Sequence, residues 1–346
     1  MKTKSRYDPS QVVWEITLKC NLKCMHCGSS AGVQRINELS TSECIQVCKD
    51  LATIGFKGIG LMGGELFLRK DWDVIVKEIK DQGMCVSTVT NGFFEPSKII
   101  PRLVELDVDC VTVGFDGTKK IHDTIRGVNG SFEKALDFLR AAKKHGLEHN
   151  AITTVHKLNF GNLPDLKQLI LDEEQMDWQI QEVLPIGRFP KDLILSEEEI
   201  YTLGLFIADL QKKYTKARVI GGHSLGFCSQ FIPNLSFYPE WKGCYAGIGV
   251  LGIRSDGAVK GCETLPDEYI EGNVREKSII EIWNDPDAFA YNRKFKKEEL
   301  GENCKNCQYG NDCKGGCLSR SLSMTNTPYN DPHCFYRIEQ KLLNQK

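Results

Sequence analysis

The chain has 346 residues, long enough for two domains and a large core. With 44 basic against 46 acidic residues its formal charge is −2, which implies no strongly basic face and no nucleic-acid partner. The opening MKTKSRYDPSQVVWEITLKC lacks a signal-peptide hydrophobic region, and no apolar run approaches the roughly 20 residues of a membrane span, so the expectation is a soluble cytoplasmic protein without a membrane partner.

From residue 12 to about 215, short apolar runs alternate with helical patterns. VVWEITL (12–18), KGIGLM (57–62), CVSTVT (85–90), CVTVGF (110–115), HNAITTV (149–155) and WQIQEVL (178–184) read as buried strands. A helix opens at Ser40, which with Glu43 has the spacing of a capping box. Further helices are expected over 71–83, 96–106, 131–146 and 196–214, the last again opening with a capping box. Alternation of this kind predicts an α/β fold with a covered parallel sheet, and leaves open whether the sheet closes. After about residue 225 glycine, proline, cysteine and short turns dominate, so a second unit held by metal cross-links is expected, with domains over 1–225 and 226–346.

Fifteen cysteines without a leader argue against a disulfide framework and for metal. Cys20, Cys24 and Cys27 lie in LKCNLKCMHCGSS, directly after the first predicted strand, at the end where α/β folds place their sites. A structural zinc needs four closed ligands, and His26 or Cys44 would have to complete it. A [4Fe–4S] cube held by three thiolates would leave one iron open. Gly58-Ile59-Gly60-Leu61-Met62-Gly63 satisfies GxGxxG but falls inside a strand, where a dinucleotide fingerprint does not work. Cys44 and Cys48 on one helix face, and Cys85 and Cys110 in strands, read as small buried hydrophobes.

The spacing Cys20-x3-Cys24-x2-Cys27, with His26 before the last cysteine, resembles the radical S-adenosylmethionine (radical SAM) superfamily. Further segments resemble that family's landmarks in order: Gly63-Gly64-Glu65 (with Leu66 where proline is usual), Thr90-Asn91-Gly92, Gly114-Phe115-Asp116-Gly117 and IHDTIRG. The resemblance implies that Gly63, Gly64 and Glu65 receive the SAM ammonium, that Asp116 approaches the ribose and that Arg126 faces the SAM carboxylate. It also implies a part for Asn91, and for Leu184 in VLPIGR, where backbone meets adenine. Gly114 stands where the family has serine.

Cys244-x12-Gly257-x4-Cys262, then Cys304-x2-Cys307-x5-Cys313-x3-Cys317 and Cys334, looks like the seven-cysteine SPASM domain. By that resemblance Cys304, Cys307, Cys313 and Cys334 ligate a distal cluster, and Cys244, Cys262 and Cys317 a proximal one. Sulfatase-maturing relatives have another cysteine where Val250 stands, so the proximal cluster either keeps an open iron or takes a bond from Cys228. Cys228 is also a candidate hydrogen donor to a substrate radical. Glu263 stands where those relatives carry an aspartate base, its alternative being a solvated surface carboxylate.

The implied architecture is a partial (β/α)6 TIM-like barrel with a small C-terminal Fe–S domain, three [4Fe–4S] clusters and SAM. The implied activity is cleavage of SAM to a 5′-deoxyadenosyl radical that abstracts hydrogen. A peptide or protein substrate, in maturation of a ribosomally made peptide, is the leading expectation. Implied partners are a reductant such as flavodoxin or ferredoxin and a separate leader-recognition protein. Anaerobic sulfatase maturation and oxidation of a small molecule such as a tetrapyrrole side chain are the alternatives, and a zinc-binding scaffold is the reading from another class.

Overall fold

In the computed structural model, residues 7–222, 225, 227–236 and 241–344 are described. Six parallel strands follow one another across a sheet: β1 (Gln11–Thr17), β2 (Gly58–Gly63), β3 (Cys85–Thr90), β4 (Cys110–Gly114), β5 (His149–Val155) and β6 (Asp177–Glu182). Between them run α1 (Thr41–Ile54), α2 (Trp72–Asp81), α3 (Pro96–Glu105), α4 (Lys119–Arg126) and α5 (Ser131–Lys144). Ser40 and Glu43 close the capping box that starts α1, and Gly55, at φ +104°, ends it in the left-handed region. Ser196 and Glu199 do the same for the helix Glu197–Lys213.

The sheet is open. Its order is β10-β9-β8-β1-β2-β3-β4-β5-β6-β7, with β7 (Val219–Gly221) parallel at the β6 edge. β8 (Val250–Ile253) runs parallel to the free edge of β1, Gln11 facing Val250 and Trp14 facing Ile253. β9 (Ala258–Lys260) and β10 (Ile270–Asn273) continue it antiparallel. The C-terminal segment therefore extends the same sheet, on the side of the strand that carries the first cysteines.

The strands alternate where continuous burial was expected. Val12, Trp14 and Ile16 of β1, Val111 and Val113 of β4, and Trp178 and Ile180 of β6 are wholly buried in one main core. On the opposite face Ser87, Thr112, Asn150, Thr154, Gln179 and Gln181 are half-buried and polar. Thr112 Oγ1 donates to Asn150 Oδ1 at 2.7 Å, and Gln181 Nε2 to Thr154 Oγ1 at 3.1 Å. An uncovered polar face is what an open barrel offers a ligand. Cys85 is exposed and Cys110 half-buried on that face, so neither is a core residue, whereas Cys44 and Cys48 are.

Metal cross-links are not all that holds the C-terminal segment. Leu251, Ile253, Val259, Trp283, Phe289 and Phe335 join the main core, and a smaller cluster of Ala246, Leu265, Leu300, Leu318 and Tyr329 lies beside the cysteines. No helix among the described residues is long and apolar enough to cross a membrane.

Candidate functional site

Beyond Thr17 the chain turns through Cys20, Cys24 and Cys27 at the carboxyl end of the sheet. The Leu22 N–H donates to Cys20 Sγ at 3.5 Å and the Ala31 N–H to Cys27 Sγ at 3.4 Å. Arg126 Nη1 reaches Cys24 Sγ at 3.8 Å, and Asn91 Nδ2 lies 3.9 Å from Cys20 Sγ. Burial pushes the Cys20 thiol up to about 11; the Leu22 N–H offsets part of this, while Glu65, Cys24 and Cys27 add to it. Burial raises the Cys24 thiol as well, and thiols that resist ionisation alone become thiolates when a metal coordinates them. Neither expected zinc partner joins them. His26 Nε2 turns to Asp116 Oδ2 at 3.5 Å, and Cys44 packs beneath Leu39 and Arg69.

The glycine pair after β2 is required by this loop. A Cβ at Gly63 would lie 2.3 Å from the Thr17 carbonyl oxygen, and one at Gly64 would lie 2.2 Å from that of Lys19. The Gly64 and Glu65 N–H groups donate to those same carbonyls, both at 2.8 Å, so β2 is laced to the cysteine loop. Glu65 is wholly buried. Its carboxylate accepts from Thr90 Oγ1 at 2.9 Å, from the Asn91 N–H at 2.9 Å and from the Phe67 N–H at 3.4 Å. Burial nevertheless raises it to about 7, against those hydrogen bonds. Asn91 also donates to Asn21 Oδ1 at 2.8 Å.

Asp116 and Arg126 form a buried ion pair at 2.6 Å. Asp116 Oδ1 accepts the Thr154 N–H at 3.0 Å, and the Asp116 N–H meets His122 Nδ1 at 3.1 Å. Burial alone would raise the Asp116 carboxyl; Arg126 and His26 hold it well below the usual range. Burial lowers His26 to about 4, so the ring is neutral near pH 7. Gly114 is explained here: a Cβ would stand 2.2 Å from Arg126 Nη2. Leu184 lies in the turn after β6, where its carbonyl accepts the Ile186 N–H at 2.8 Å.

Arg188, in the same stretch, has a part that the sequence did not reveal. It donates to Cys24 O at 3.2 Å and Ala31 O at 2.7 Å, and its N–H to Cys27 O at 3.1 Å. At Gly187, φ is +61° and a Cβ would meet the Gly28 and Cys27 carbonyls at 2.3 and 2.4 Å. The cysteine loop is thus held by β2, by α4 and by the turn after β6. Arg126 Nε and His26 Nδ1 are buried without a hydrogen-bond partner, which leaves polar atoms for a bound molecule to satisfy. Three convergent thiols, a glycine-lined approach and these two orphans fit a cluster with an adenosyl co-substrate.

The C-terminal cysteines fall into two groups. Cys244 before β8, Cys262 after β9 and Cys317 at the start of the helix Leu318–Thr325 form one. Burial raises Cys244 to about 11, Cys262 adding to it, and Cys317 to about 12, Cys244 and Cys262 adding to that. Val250 is a β8 residue paired with β1 and holds no ligand position. Cys304, Cys307, Cys313 and Cys334 line a cavity of about 650 Å³, and Cys228 lines it with them. Cys228 therefore stands with the second group, not beside Cys244, Cys262 and Cys317 as a fourth bond to the first would require.

Glu263 is not a solvated surface carboxylate. Burial raises it to about 7, Lys260 pulling down and Glu15 up, and its Oε2 is buried without a partner. Between the two cysteine groups lies a buried polar quartet that the sequence did not announce. Arg320 Nη1 donates to Glu182 Oε2 at 2.8 Å, Arg320 also pairs with Asp331, and His333 with the other Glu182 oxygen.

Comparison with known proteins bears on this geometry directly. Residues 14–170 match the family model of the radical SAM superfamily, and residues 244–308 that of the SPASM iron–sulfur cluster-binding domain. The chain belongs to the radical SAM superfamily and carries a SPASM domain. Among similar proteins, the AdoMet-dependent heme synthase of Methanosarcina barkeri is 28% identical, over 96% of this chain and 98% of the relative. The pre-heme d1 synthase of Dinoroseobacter shibae is 27% identical over 94% and 85%. The mycofactocin maturase MftC of Mycobacterium ulcerans is 28% identical over 94% and 88%. Streptococcus suis SuiB bound to S-adenosylmethionine superposes with a TM-score of 0.75 at 15% identity, covering 95% of this chain and 76% of SuiB, a likeness of fold. This radical SAM/SPASM protein is accordingly an enzyme that binds iron–sulfur clusters and SAM.

Proposed function

We propose that this enzyme oxidises the side chain of a small molecule, with a tetrapyrrole as the substrate class, rather than maturing a peptide. One observation carries the choice: synthases of heme, pre-heme d1 and Fe-coproporphyrin III recur among the relatives, at 27–29% identity over 94–96% of this chain. Bound clusters would supply the electron that splits the SAM sulfonium into methionine and a 5′-deoxyadenosyl radical, and an acceptor for the second electron of an oxidation. Cys20, Cys24 and Cys27 would hold the cluster that meets SAM, with one iron left to the ligand. Arg126 would bind the SAM carboxylate through its open Nε, Glu65 the ammonium, Asp116 the ribose, and the Leu184 turn the adenine. The half-buried polar face of the sheet would take the substrate. Glu263, whose burial brings it to about 7, would accept the proton lost from the oxidised side chain. The three-cluster count and a flavodoxin- or ferredoxin-type reductant belong to the same proposal.

The likeness to MftC favours a second reading, peptide maturation. Reconstituted protein given SAM, dithionite and either carboxylated tetrapyrroles or candidate peptides separates the two. The expected result is that a tetrapyrrole raises 5′-deoxyadenosine above its uncoupled level and changes mass. A peptide doing so while every tetrapyrrole is inert would contradict it.

A further inference from the structure

Five cysteines, one more than a four-iron cube needs, surround the C-terminal cavity. The fifth, Cys228, is held there by built contacts. Its carbonyl accepts the Tyr336 N–H at 2.9 Å, two residues beyond Cys334. The Gln230 N–H donates at 2.8 Å to the buried Glu339, which also receives the Ser229 hydroxyl and Tyr201 Oη. Phe227 stacks on Trp241 with ring centroids 3.8 Å apart, and Trp241 Nε1 donates to the Cys313 carbonyl at 3.3 Å. Both segments are thus tied together on either side of the thiols. Cys228 and Cys313 line the same cavity. A structural cysteine merely filling space would be enclosed by apolar side chains. Cys228 instead is half-exposed and faces four other thiols.

We propose that Cys228 and Cys313 compete for one iron of the cluster held in this cavity. In the exchange the iron–sulfur bond to one cysteine breaks as the bond to the other forms. The incoming thiol gives up its proton as the outgoing thiolate takes one up, and no electron moves. The inference rests on the cluster reading given above, in which Cys304, Cys307 and Cys334 supply the other three bonds.

Iron content and thiol reactivity of anaerobic holoprotein test it. Cys304→Ala should lose about four irons per chain; if it keeps them, the cluster reading itself fails. Cys313→Ala should keep its iron, and Cys228, alkylated by iodoacetamide in the wild type, should become protected. The double variant C228A/C313A should lose as much iron as Cys304→Ala. Cys313→Ser gives the same readouts if alanine disturbs folding. Reduced Cys228→Ala should show one EPR species for this cluster where the wild type shows two. Loss of iron in folded Cys313→Ala or Cys313→Ser, continued alkylation of Cys228 in either, or identical EPR spectra for wild type and Cys228→Ala would overturn the proposal.

Discussion

At Gly114 the obstacle to a side chain is a guanidinium rather than backbone, since Arg126 occupies the space a serine would need. Restoring the family residue with Gly114→Ser should therefore hurt. Overpacking a filled site costs about 1–3 kcal/mol, and the displaced Arg126 would leave Asp116 buried without its partner. A fall in the urea midpoint together with weaker SAM binding is expected, and an unchanged midpoint would show that the ion pair tolerates displacement. Glu65 gives a pH signature with the opposite sign to most carboxylates. Its folded value, about 7, lies above the ordinary glutamate value of 4.5. The folded state then holds its proton longer than the unfolded chain, so this stabilisation is complete below about pH 4.5 and is lost as pH rises to 7. In cluster-free protein Glu65→Gln should flatten that decline, worth on the order of 3 kcal/mol. Urea titrations at several pH values measure it. The opposite slope would mean that the hydrogen bonds from Thr90 and Asn91 outweigh burial.

The cysteine loop depends on elements far apart in sequence, and its clamp is accessible to mutation. Arg188→Met removes two side-chain hydrogen bonds and leaves the Cys24 and Ala31 carbonyls without them. Unmade buried hydrogen bonds cost about 1–3 kcal/mol each. This variant should lose N-terminal cluster iron faster under chelation, while the C-terminal iron stays. Equal loss from both regions would point to general destabilisation. The six main strands were legible because apolar runs of this length, bounded by glycine and polar turns, have few other structures open to them. α4 was not, since KKIHDTIR is mostly polar and buries only His122, Ile125 and Arg126. β7, β8, β9 and β10 are three or four residues each, too short for a period to show. Their pairing is fixed by where the rest of the chain leaves an edge, above all the free edge of β1.

Across the whole molecule, the SPASM segment and the barrel share one core, one sheet and the buried quartet of Glu182, Arg320, Asp331 and His333. Removing one partner from a buried ion network leaves uncompensated charge and typically costs about 3–5 kcal/mol. Arg320→Met should therefore destabilise both regions together, seen as one shifted transition by calorimetry. Two separate transitions would mean that the regions fold independently. The candidate site was legible in part for the same reason. Cysteine spacing, Gly-Gly-Glu and HDxxRG are local in sequence, whereas Glu182 meets Arg320 only through the fold. Cys228 was legible as a cysteine at the junction but not as a member of the distal group, since nothing in its neighbours names its partners.

The account centres on the loop carrying Cys20, Cys24 and Cys27 as the place where SAM is split. Anaerobically reconstituted protein given dithionite and SAM, with 5′-deoxyadenosine measured by chromatography, tests this most directly. Wild type should form it and Cys24→Ala, still holding its C-terminal iron, should not. No product from the wild type, or equal product from Cys24→Ala, would contradict the account.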